Sequence, residues 1–243
     1  MIEITEVIRR SDQGVTRPFV CRSTDGRQLW VKGPAWASKE LAAEWICARL
    51  AQFWGLPLSD CSLVSVPDDL IRLSAVKEIA SLGSGFGFGS FHAEGAAELD
   101  YADIQKVDAE LRAEILLFDY WVHNGDRILG EAGGNPNLLW QAHRNQLVII
   151  DHNSAFSAVF SAQEFFRQHI FHESLAQWDA AFREKHHKKL LEFLGQLPDI
   201  WSSIPEKWFA DDDLTGFSAE LTRMKKILSR IETNAEEFWG VCL

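Results

Sequence analysis

The chain has no close pair of cysteines: its four, Cys21, Cys47, Cys61 and Cys242, are scattered. That excludes the usual zinc spacings and a compact disulfide framework, and reads as reduced thiols used mostly for packing. No apolar run approaches the roughly 20 residues that a membrane-spanning helix needs. The opening MIEITEVIRR has no apolar stretch behind a basic start, as a secretion signal would. A cytoplasmic location away from the membrane is therefore expected. Positive charge is also short: 24 Lys and Arg face 35 Asp and Glu, giving a net charge of −11. This counts against broad binding of nucleic acid or anionic lipid, though it leaves room for a local basic pocket. With 47% hydrophobic and 24% charged residues, disordered and repetitive architectures are excluded as well. Tryptophan, by contrast, is abundant. Trp45, Trp54, Trp121 and Trp178 fall within helical patterns, so core packing is their expected use.

The texture changes along the chain. From Ile2 to about Ala80 it is short and β-rich: ITEVIRR, RPFVCRS, RQLWVKG, CSLVSV and RLSAVKEIA, with Thr24, Asp25 and Gly26 turning a hairpin. One helix interrupts these strands, with Ser38 as its N-cap, Leu41, Trp45, Ala48, Leu50 and Phe53 at helical spacing, and Gly55 and Pro57 as its stop. After Gly83 the pattern turns helical, over about 106–122, 178–194 and 214–238. Strands followed by helices predict an α+β protein with a small β-rich lobe over 1–81, an antiparallel sheet plus one helix, and a helical lobe over 82–243. SLGSGFGFGSFH, around residues 81–92, is expected to be the lobe junction. It reads equally as a flexible connector and as a nucleotide edge, and its glycines do not fit GxGxxG.

The middle of the chain carries the chemistry. WVHNGDR, GGNPNLLW and QLVIIDHNSAF set an acid, an amide and a second acid at the ends of short hydrophobic elements. That is the inventory a phosphotransferase uses to hold a hydroxyl and magnesium-bound ATP. An apolar helix, AEILLFDYWV, delivers Asp126 into a turn-forming loop, where it would accept or orient the proton of an attacking hydroxyl. Arg127 beside it would hold the loop by pairing with an acid, or contact phosphate. A hairpin would bring Asn135 or Asn137 together with Asp151, hard oxygen donors that suit magnesium. Alternation in RQLWVKG places Trp30 and Lys32 on one strand face and Leu29 and Val31 on the other. Glu40 and Glu44, one helical turn apart, are both available to pair with Lys32; Glu44 is preferred because it sits deeper, beside Trp45.

GVTRPFVC, DGRQLWVKG, ELAAEWICARLAQFWGLPL, GFGFGSF, FDYWVHNGDR, GGNPNLL and IIDHNSAF together resemble the HipA-like kinase domains. These are a bacterial branch of the protein-kinase-like fold, similar in their DR, N and ID motifs to the phosphoinositide kinases. The resemblance covers about residues 5–160. It implies a two-lobed kinase-like fold and an ATP- and magnesium-dependent phosphotransferase. Lys32 would bind ATP phosphates, Asp126 would be the base, and Asn137 with Asp151 would hold magnesium. Asn137 is favoured over Asn135 because Leu138 and Leu139 follow it directly. Two departures stand out. The loop RRSDQGVTRP has only Gly14, so phosphate contact there falls to backbone around Gly14 to Thr16 or to the Thr16 side chain. ILGEAGG also lengthens the spacing from Asp126 to the asparagines. Strand order puts adenine against backbone from Lys77 to Ala80, with Glu78 taking part through its carbonyl. Toxin kinases of the family carry a further N-terminal subdomain and a DNA-binding partner; this chain begins at the kinase core, so neither property is expected of it. The acceptor is open, a protein Ser or Thr or a small molecule. The alternative function is a catalytically silent kinase-fold module that binds nucleotide or protein.

Other features read more plainly. His123, His143 and His152 lack zinc-ligand spacing, so a metal trio is the lesser reading. His186 and His187 on a basic helix turn are expected to face solvent. Asp211, Asp212 and Asp213 suit a helix N-terminus. Ser154 and Ser157 have no nucleophile-elbow motif around them.

Overall fold

A computed structural model describes residues 1–12, 16–130, 133–209 and 214–240. Strands β1 (Ile2–Arg10), β2 (Phe19–Ser23) and β3 (Gln28–Lys32) come first, then helix α1 (Ser38–Trp54), β4 (Cys61–Val66), the short α2 (Asp68–Leu73) and β5 (Gly85–Phe91). The five strands close into a barrel in the order β1-β2-β3-β5-β4. Every pair is antiparallel except β1 with β4. The barrel interior is apolar, with Ile4, Phe19, Leu29, Val31 and Val64 fully buried, each such side chain contributing roughly 1.5–3 kcal/mol.

The glycine-rich segment is therefore a strand of this barrel, where a junction was expected. A Cβ on Gly87 would lie 2.5 Å from the Lys32 carbonyl oxygen, and one on Gly89 would lie 2.7 Å from Val64 Cγ1. Glycine is there so that β5 can press against its neighbours. The barrel accordingly runs on to Phe91, past the expected limit at residue 81, and the chain leaves it through His92 to Gly95.

Helix α1 starts at Ser38, so its N-cap is Ala37, without a side-chain cap; Gly55, at φ 84°, ends it in the left-handed conformation as the sequence predicts. Its Leu41, Ile46, Leu50 and Trp54 belong to the same core as the helices that follow, so α1 bridges the barrel to the rest.

Beyond the barrel come β6 (Ala96–Glu98), α3 (Ala109–Trp121), the hairpin β7 (Ile128–Gly130) and β8 (Gly133–Asn135), and the hairpin β9 (Leu138–Gln141) and β10 (Gln146–Ile149). β6 pairs with β9 on the side away from β10. Helices α4 (Ala162–Gln168), α5 (Ala180–Leu194), α6 (Leu197–Ser202), α7 (Leu214–Leu228), α8 (Arg230–Thr233) and α9 (Ala235–Gly240) complete the fold. The helix expected over 214–238 is thus three, broken at Ser229 and Asn234. Among the described residues no helix is long and apolar enough to cross a membrane. Gly14, Cys242 and the Asp211–Asp213 run lie outside the described residues.

Candidate active site

Asp119 interrupts the apolar run of α3 and is fully buried. A carboxylate there must be paired. Arg127, also fully buried, donates from Nε to Asp119 Oδ2 at 2.6 Å, and from Nη1 to the carbonyls of Asn137 at 2.6 Å and Pro136 at 3.1 Å. Asn124 Nδ2 donates to Asp119 Oδ1 at 2.9 Å. His169 Nδ1 accepts from the Phe171 backbone N–H at 3.1 Å, so Nε2 carries the proton and donates to Asp119 Oδ2 at 3.0 Å. Burial works to raise the Asp119 pKa, but Arg127 and His169 outweigh it and hold the carboxyl well below the usual range.

This network ties the end of α3 to the loop carrying Asp126 and to the start of β9. Of the two uses expected for Arg127, the pairing with an acid is present: its side chain is enclosed against Asp119. Its Nη2 also donates to His152 Nε2 at 3.3 Å, which leaves the His152 proton on Nδ1. Burial, then Arg127, pushes the His152 pKa down to about 4. Asp119, Asn124 and His169 were missed in the sequence, although an aspartate inside AEILLFDYWV is itself the signal that a buried partner must exist.

Above this network the predicted residues converge. Lys32, at the end of β3, pairs with Glu44 of α1 rather than with Glu40, and its Nζ lies 2.9 Å from Asp151 Oδ1. Lys32 and Glu44 are 6% and 2% exposed. Burial works to lower the lysine's pKa, but the two carboxylates raise it and keep the ammonium charged. Glu44 also accepts from the His152 backbone N–H at 3.0 Å. Burial, together with the nearby Asp151, pushes its own pKa up to about 7 against the pull of Lys32.

Asn137 donates from Nδ2 to Asp126 Oδ2 at 3.3 Å, and Ser154 Oγ donates to the same oxygen at 3.4 Å. Asn135 is exposed on β8, so the structure brings Asn137 to the acid. Burial and the Asp151 charge raise the Asp126 pKa, against the hydrogen bonds from Asn137 and Ser154. Asn137 and Asp151 hold positive φ, 47° and 56°, at the two ends of the β9–β10 hairpin. Asparagine and aspartate tolerate that conformation better than other residues with side chains.

The remaining expectations fall elsewhere. The Glu78 carbonyl accepts from Ser81 N and Oγ, and its carboxylate pairs with Arg10 and Arg17. With β5 in the barrel, the chain leaves it at His92–Gly95, beyond Lys77–Ala80. Thr16 stands half-buried at the end of the β1–β2 turn. The three histidines do not meet: His123 stacks on Phe160 at 4.3 Å, His143 lies against Gly95, and His152 is in the buried network. His186, expected in solvent, is fully buried and bonds to Glu114 and to the Phe182 carbonyl. Among the described residues no cluster of three or more His, Cys, Asp or Glu is arranged to hold a metal.

The family model for HipA-like kinases matches residues 4–242. The chain belongs to the HipA-like kinase family. It is therefore a kinase-type phosphotransferase, and the α+β architecture agrees with the solved structures it resembles. The Helicobacter pylori proinflammatory kinase CtkA superposes with a TM-score of 0.56 at 11% identity, covering 100% of this chain and 96% of that one. The golgi casein kinase superposes with a TM-score of 0.50 at 12% identity, covering 99% of this chain and 74% of that one. At those identities the likeness is one of fold. No curated protein matches the chain.

Proposed function

We propose that this HipA-like kinase transfers the γ-phosphoryl group of ATP to a hydroxyl acceptor with the help of magnesium. The observation that carries the reading is the convergence of Lys32, Glu44, Asp126, Asn137 and Asp151 from β3, α1, the loop after α3 and the two ends of one hairpin. Lys32, held by Glu44, would take phosphate oxygens. Asp126, its pKa raised, would orient the acceptor hydroxyl and receive its proton. Adenine would meet the backbone of His92–Gly95, where the chain leaves the barrel.

Asn137 and Asp151 would hold magnesium. The donor set fits: both offer hard oxygens, and a pair of protein donors suits a metal that keeps waters and shares phosphate ligands. The chemistry that magnesium supplies in such a site is neutralisation of phosphate charge. Free thiols at Cys21, Cys47 and Cys61 agree with a reducing, ATP-rich compartment, so the cytoplasm is the proposed location.

The test is isothermal titration of ATP, with and without magnesium, into wild type and Asp151→Ala. Binding that needs both magnesium and Asp151 is the expected result. A wild type that binds ATP with magnesium but transfers no phosphate to itself, water or an acceptor is instead a silent nucleotide-binding module. No binding under any condition removes the ATP reading.

A further inference from the structure

Asp126 opens onto a cavity of about 250 Å³. Asp126 and Gly125 form one wall, Ser154, Ser157 and Ser161 supply hydroxyls, Phe160 and Phe165 supply apolar surface, and Glu164 and Gln168 come from α4. The aromatic side is firmly packed: Phe160 sits against Phe165 at 5.3 Å and is stacked on His123.

Three observations bear on what enters. Both charged groups lining the cavity are acidic, Asp126 and Glu164, and among the described residues no lysine, arginine or histidine lines it. The nearby cations are turned to other uses: Arg127 is enclosed on Asp119, Arg223 is tied to Glu220 and the Phe156 carbonyl, and Arg167 lines a separate groove across α4 with Phe166 and His172. Glu164 is exposed, and its side chain has no hydrogen-bond or ion-pair partner among the described residues. The volume is also below the 300–1,000 Å³ that encloses a whole small ligand, so it suits one side chain of something larger. Val159, 90% exposed at the edge, adds an apolar ledge outside it.

We infer that the acceptor is a serine or threonine in a basic peptide segment, and that Glu164 is the specificity residue that receives a lysine or arginine flanking the acceptor hydroxyl. This rests on the phosphotransferase reading. An anionic acceptor, such as a phosphorylated sugar or lipid headgroup, would bring like charge into a wall of two carboxylates. Ser154 already shows the approach: its hydroxyl donates to Asp126 Oδ2, while Oδ1 accepts no hydrogen bond among the described residues. The Glu164 backbone is fixed in the first turn of α4, its N–H donating to Ser161 Oγ at 3.3 Å.

The probes are alanine-based peptides with one serine, flanked within three residues by arginine, by alanine or by glutamate. Steady-state transfer from magnesium–ATP is measured for wild type, Glu164→Gln, Glu164→Asp and Glu164→Arg, with melting curves to verify folding. Wild type should favour the arginine peptides over the glutamate peptides by about ten-fold or more in kcat/KM, mainly through KM. Glu164→Gln should shrink that preference to under about three-fold, Glu164→Asp should keep most of it, and Glu164→Arg should invert it. Magnesium-dependent ATP hydrolysis by wild type, abolished in Asp126→Asn, separates the two readings. If hydrolysis is present but no peptide is phosphorylated, or the preference does not move with Glu164, the acceptor inference is overturned and the phosphotransferase reading stands. If hydrolysis and transfer are both absent, both readings fall.

Discussion

Replacing Arg127 with methionine would leave Asp119 buried with Asn124, His169 and the neutral His152 beside it and no cation to pair with. Removing one member of such a pair costs about 3–5 kcal/mol, so Arg127→Met should lower the unfolding free energy measured by urea denaturation by that amount. The double variant Arg127→Met, Asp119→Leu should recover part of the loss, because no orphaned carboxylate remains. His123 gives a second test, through pH. Burial, then Arg230, pushes its pKa down to about 3. The unfolded chain therefore binds a proton below about pH 6.5 that the folded chain refuses until about pH 3, and stability falls as pH drops through that window. His123→Asn, which suits the positive φ of 55° at this position, should flatten the slope of urea stability between pH 6.5 and 4. These residues also show what the sequence makes legible. Lys32, Asp126, Asn137 and Asp151 stand out because their side-chain chemistry is unusual at element ends, and Glu44 because it is an acid deep in an apolar helix. The use of Arg127 does not, because a guanidinium beside an acid reads the same whether it faces phosphate or a buried aspartate eight residues earlier.

Among the elements, β5 is where sequence pattern and structure part. Three glycines in the seven residues of β5 argue for a flexible link, since local propensity sees only the backbone freedom of glycine. The space they vacate is filled by β3 and β4, which is long-range information. Gly87→Ala should therefore destabilise the fold by about 1–3 kcal/mol, as its Cβ pushes on the Lys32 carbonyl, and should weaken magnesium–ATP binding more than an equally destabilising change inside the barrel, such as Val64→Ala. Chemical denaturation and calorimetry on the two variants give the comparison. The β9–β10 hairpin, α1 and α5 were legible because each carries its own period and stop signals. The C-terminal helices were merged into one because α7–α9 share a continuous apolar stripe across their breaks.

At the scale of the molecule, the expected lobes are joined more closely than a division near residue 81 implies. Helix α1 shares one core with α6 and α7, Trp45 Nε1 donates to Ser203 Oγ at 2.8 Å, and Trp208 Nε1 donates to the Phe86 carbonyl of β5 at 2.7 Å. Those contacts connect residues more than a hundred positions apart, which no local pattern reveals. A chain ending at Gly195 would uncover α1, so it should lose cooperative melting even though the barrel and every proposed site residue remain; a sharp melt near that of the full chain would show that the C-terminal helices are dispensable. The left-handed backbone at Asn137 and Asp151 has a longer reach still. It biases what evolution can write at those positions toward asparagine, aspartate and glycine, the residues that adopt it at least cost. A descendant that gave up phosphoryl transfer would shed the donor atoms while keeping the bend, and glycine at both positions would mark the lineage that had done so.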